Sequence, residues 1–214
     1  MFARLLAAFC LLTLLVSSSR AASAGTSDSK LVVYLGAAAT QPAAIQEHMK
    51  RETAAILRTA GYELEFMARG SRGEAPDAPY LVVVELDGVC TAESRAAEAP
   101  AGVKLAATPV ADGHVLPFTT ISCAALRQTI ASSLAGQPPA MRDFLYGRAL
   151  ARVLSHELYH VLAGTRDHAA SGIARTCYRA ADLVAERFEF EAATLARMRP
   201  STTEAYAFDD SSGR

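Results

Sequence analysis

Tryptophan is absent from this 214-residue chain, and the whole aromatic share is only 7%. A surface that stacks bases or sugar rings on aromatic planes is therefore not favoured. Excess charge of either sign is also missing: Lys and Arg number 21, Asp and Glu 22, and the net charge is −1. Without a basic stripe, nothing marks a nucleic-acid or anionic-membrane binder. Past residue 16 there is no apolar run approaching the roughly 20 residues of a membrane span. Histidine is scarce too, with five in all, so their placement carries information. What is plentiful is apolar side chain, 51% of residues, enough for one domain with a substantial core.

The single long apolar run stands at the N-terminus. Met1, Phe2, Ala3 and Arg4 form a short positive region, and residues 5–16 an apolar core of twelve. Ala22, Ser23 and Ala24 have the small-x-small character of a signal-peptidase site. Twelve residues are short for a membrane anchor, so cleavage is preferred to an uncleaved anchor. The expected organisation is a signal peptide at 1–24, one domain at 25–200 and a polar, disordered tail at 201–214. The mature protein is expected to be secreted or periplasmic, monomeric and without a membrane span. Disulfides are permitted there. Cys90 and Cys123, both at the ends of expected strands, are the preferred pair. Cys177 is left over, either as a thiolate near a metal or, preferably, as a small buried apolar residue.

Apolar runs at 31–36 and 80–86 read as buried strands, and the alternation at 62–67 as a half-buried one. Residues 114–121 form a further strand, which Pro117 moves towards a sheet edge. A short strand is expected within 103–107. Helices are expected at 41–60 with Thr40 as N-cap, at 123–134, at 140–163 and at 180–198. The fold class is α+β: a small mixed β-sheet packed with helices, including one long helix and a C-terminal helix.

The long helix ends in Leu154, Ser155, His156, Glu157, Leu158, Tyr159, His160, which contains H-E-x-x-H. Histidines four apart on a helix project from one face, one turn above the other, and both can reach a Zn²⁺ ion. Glu157 beside them suits a general base acting on a metal-activated water. Gly164 lets the helix stop and the chain turn. After the turn His168 can return as a third ligand. Three protein ligands plus water is the open arrangement of a catalytic zinc site. His48 and His114 have no partner at ligand spacing and read as surface residues.

Strand, helix, further strands, then a long helix with H-E-x-x-H, glycine and a third histidine resembles the metzincin clan of zinc metallopeptidases. The order matches over residues 31–200, the specific motif over 156–168. The resemblance implies His156, His160 and His168 as zinc ligands and Glu157 as general base. Two features depart from the clan's pattern: Gly164 and His168 fall one and two residues late, and Ala174 stands where its methionine turn carries methionine. Tyr178 falls where some members place an oxyanion-assisting tyrosine, although a core tyrosine is preferred. A rival third ligand is Glu186 on the following helix, the gluzincin arrangement; His168 is favoured because a glycine turn needs fewer assumptions.

The activity expected is hydrolysis of a peptide bond in a peptide or protein substrate. The strand around Val115 to Ile121 is expected to pair with an extended substrate. The alternative is a secreted binding or scaffold module with a structural or vestigial zinc site.

Overall fold

The computed structural model describes residues 29–37, 39–70, 78–93 and 104–200. The expected leader at 1–24 and tail at 201–214 lie outside them. Strand β1 (Lys30–Ala37) carries the first apolar run, with Leu31, Val32 and Val33 fully buried. It lies parallel between β2 (Glu63–Ala68) and β3 (Tyr80–Asp87). Next come two-residue strands β4 (Ala106–Ala107), β5 (Val110–Ala111) and β6 (His114–Val115), then β7 (Phe118–Ser122). The main sheet has the order β2-β1-β3-β7-β4, with β4 alone antiparallel. β5 and β6 form a separate hairpin, turned at Asp112 and Gly113.

Register sorts the side chains between two faces. Val33 sits beside Val82, and Leu86 beside Ile121, all buried in the core. The opposite face carries exposed Leu81 and the Arg69–Glu85 ion pair. Helices therefore cover one face, the apolar one. α1 (Ala43–Thr59) buries Ile45, Met49, Thr53 and Leu57, a repeat of four that draws one stripe along the helix. α2 (Cys123–Leu134) starts at Ser122, whose hydroxyl accepts from Ala125 N. α3 (Pro139–Leu162) runs through the centre, and every residue from Ala149 to His160 is buried. It meets α1 at Gly147, where an added Cβ would lie 2.5 Å from His48 Cβ and 2.9 Å from the Ile45 carbonyl. Tyr146 on α3 donates to the Cys123 carbonyl at 2.7 Å, and Cys123 is disulfide-bonded to Cys90 across a Cα separation of 4.6 Å.

This is the expected α+β class, with five corrections. The strand expected at 114–121 is broken at Pro117, so its first two residues join the hairpin and the rest form β7. β7 is not an edge strand, because β4 pairs along its outer side. α1 begins at Ala43 after Pro42, and Thr40 does not cap it. Cys177 is exposed, not buried. Finally, the C-terminal helix is two short ones, α4 (Ala180–Val184) and α5 (Ala192–Met198). The interruption has a cause on α3: Arg152, 1% exposed, donates to the carbonyls of Asp182 and Ala185, and Arg148 to those of Val184 and Ala185. Guanidinium donors replace the amides that a continuing helix would have used. Among the described residues no helix is long and apolar enough to cross a membrane.

Candidate metal centre

His156 and His160 occupy the last two turns of α3, and the turn that follows is built to serve them. Gly164 takes φ +56. Its amide donates to Val161 O at 3.2 Å, and that of Thr165 to His160 O at 3.1 Å. This pair of bonds is the Schellman closure of a helix C-terminus. It delivers the Thr165 carbonyl to His160 Nδ1 at 2.8 Å. The chain then carries His168 back, and residues 169–174 pass close beneath, with Ala169 N bonded to Ala174 O at 2.9 Å. Ile173, fully buried, presents its carbonyl to His156 Nδ1 at 2.8 Å. Ala174, in the place expected for methionine, is 1% exposed and part of the core.

These carbonyls decide the tautomers. A carbonyl only accepts, so Nδ1 of each ring must be the protonated nitrogen. In the neutral form of each ring Nε2 carries the lone pair, and the two Nε2 atoms stand 3.1 Å apart. With both rings neutral, two acceptors converge on one point. His168 completes the group: its ring centroid is 5.2 Å from that of His156 and 4.8 Å from that of His160. One ligand nitrogen from each of the three histidines falls within 4.8 Å of the other two, close enough to bind a metal ion. Glu186 is outside this group, and His168 is its third member. Burial lowers the His156 imidazole to about 4, and burial also lowers His168, so both are neutral and able to coordinate near pH 7.

Supports extend outward from the three histidines. The Tyr178 hydroxyl donates to Ile173 O and lies 2.6 Å from His156 Nδ1, placing its oxygen against that N–H. Tyr178, partly buried and packed against the core as expected, also supports His156 and lines the cleft. Tyr159 OH donates to Asp167 O at 3.0 Å, and Arg197 of α5 reaches Thr165 Oγ1 at 3.2 Å. Both brace the loop that carries His168.

Glu157, 6% exposed, lines the same cavity, whose volume is about 700 Å³. Its Oε2 accepts from Thr108 Oγ1 at 2.5 Å. Burial raises the carboxyl above the usual carboxylate range, while the Thr108 hydrogen bond and nearby His160 and Lys104 pull the other way. The cavity wall opposite α3 is made by β4 and the hairpin, including Leu105, Val110 and Val115. The strand facing the cleft at the sheet edge is therefore β4, not the 115–121 segment. Cys177 also lines the cavity but is not part of the three-histidine group.

Thr108 and the carbonyls of Thr165 and Ile173 were not legible in the sequence. The Thr108–Pro109 step signals extended backbone, but nothing local joins it to a carboxylate 49 residues away. No protein-family model matches the chain, and no curated protein is detectably similar to it in sequence.

Proposed function

We propose that the chain is a secreted or periplasmic zinc-dependent metallopeptidase of metzincin-like architecture, acting on a peptide or protein substrate as a monomer. The observation that carries this reading is the convergence of two unprotonated Nε2 atoms, 3.1 Å apart, beside a buried carboxylate. Lone pairs so placed repel one another unless a cation sits between them. Zinc suits the donor set: a tetrahedral ion with bonds of 2.0–2.1 Å spaces its ligand atoms about 3.3 Å apart. His156, His160 and His168 would hold it, and three neutral imidazoles leave a fourth position free. Zinc bound there supplies Lewis acidity and lowers the pKa of water. Glu157 then holds the attacking water, takes its proton and returns that proton to the departing amine. Its raised pKa suits both halves of that exchange. The Cys90–Cys123 disulfide supports an oxidising compartment.

The test is Glu157→Gln in zinc-loaded protein. Zinc content should stay stoichiometric, while cleavage of a denatured protein mixture falls by at least about a hundredfold. Undiminished cleavage in that variant would end the peptidase reading. Stoichiometric zinc with no cleavage by the wild type would favour a binding module with a structural ion.

A further inference from the structure

Thr108 lies just beyond the two-residue strand β4, and the chain fixes it from both sides. On one side, β4 pairs with β7, and Thr119 Oγ1 donates to Ala107 O at 3.2 Å. On the other, Pro109 restricts the preceding residue to extended backbone, and its carbonyl accepts from Leu116 N at 2.9 Å. A β-branched side chain on an immobilised backbone has few rotamers left. Its hydroxyl has one proton to give and gives it to Glu157 Oε2 at 2.5 Å, the length of a charge-assisted bond.

We propose that Thr108 is a positioning residue for Glu157, tying one carboxylate oxygen to the sheet edge and leaving Oε1 as the oxygen available to solvent at the metal site. This rests on the metallopeptidase reading above. A free carboxylate on a helix can rotate and exchange its two oxygens; one that is held at Oε2 cannot do so without breaking the bond. The base is thereby referenced to two elements at once, α3 through its backbone and β4 through Thr108. The cleft's floor and rim then hold a constant relation during turnover.

The probe is acetohydroxamate, a small chelator whose hydroxyl proton passes to a correctly placed neighbouring carboxylate. Its affinity for the zinc-loaded full chain is measured by calorimetry in the wild type, Thr108→Val, Thr108→Ser, Glu157→Gln and the Val/Gln double variant. Thr108→Val should weaken binding about tenfold, with zinc affinity and Tm unchanged. Thr108→Ser, which keeps the hydroxyl, should stay within about twofold of the wild type. In the Glu157→Gln background the valine change should have no further effect, since its influence passes through that carboxylate. Where cleavage is measured, the valine variant should lose kcat with KM held. Wild-type affinity in Thr108→Val overturns the proposal. A loss that persists without Glu157, or one matched by lost zinc affinity and Tm, overturns it as well. A wild type that binds no zinc overturns the metal reading itself, and the proposal with it.

Discussion

At the scale of single residues, the candidate centre depends on where protons are kept from going. Desolvation brings the His156 imidazole from the ordinary 6.5 down to about 4. Between those two pH values the unfolded chain binds a proton that the folded chain refuses. Stability of the metal-free protein must therefore rise with pH across that window, and be lost as pH falls through it. Thermal melts of metal-free wild type should show that decline between pH 6.5 and about 4, and His156→Gln should show a shallower one. Identical slopes in the two proteins would mean that the ring is not desolvated. The same residue shows why the grouping is legible in the sequence. Four residues of helix bring His156 to His160, and a local turn brings His168, so the three-histidine group is encoded in thirteen consecutive positions. Thr108 reaches Glu157 only through sheet pairing, and no local pattern reports that.

At the scale of elements, the turn after α3 bears most on function. Gly164 sits at φ +56 with open space around its Cα, so a side chain there meets no clash. The cost of Gly164→Ala is conformational, about 1–2 kcal/mol for an L-residue in left-handed backbone. That cost acts on the segment presenting the Thr165 carbonyl to His160. Lower Tm together with zinc affinity weakened severalfold is the expected result, and Gly164→Asn should be milder because asparagine tolerates this conformation. Equal effects from both substitutions would show that the turn's handedness is not what matters. Other elements explain what the sequence conceals. β1 announces itself as a continuous apolar run because the centre of a parallel sheet is buried, whereas β3, equally apolar in sequence, buries only the alternate residues Val82, Val84 and Leu86. β4 is two alanines in an alanine-rich stretch without period, and only its pairing with β7 defines it. The break between α4 and α5 lies in a sequence fit for helix, and is imposed by arginines some thirty residues earlier in the chain.

For the whole molecule, a disulfide ties the end of β3 to α2, and a hydrogen bond extends that tie to the central helix. Cys90, just past β3, is joined to Cys123 at the start of α2, and Tyr146 ties that point to α3. The crosslink spans 33 positions, which predicts about 2–4 kcal/mol of stabilisation, drawn largely from the unfolded chain. Reduction, or Cys90→Ser with Cys123→Ser, should lower the denaturation midpoint accordingly while leaving zinc affinity near its wild-type value. A collapse of zinc binding on reduction would place the disulfide within the metal centre's own support.

The hairpin of β5 and β6 has two residues in each arm and no seat in the main sheet, yet Val110 and Val115 form part of the cleft wall. The floor of that cleft is α3, buried at every residue from Ala149 to His160. The two sides of the aperture thus differ in their backing: one is a helix seated in the core, the other a ribbon held by its own pairing and by the Leu116–Pro109 bond at its base.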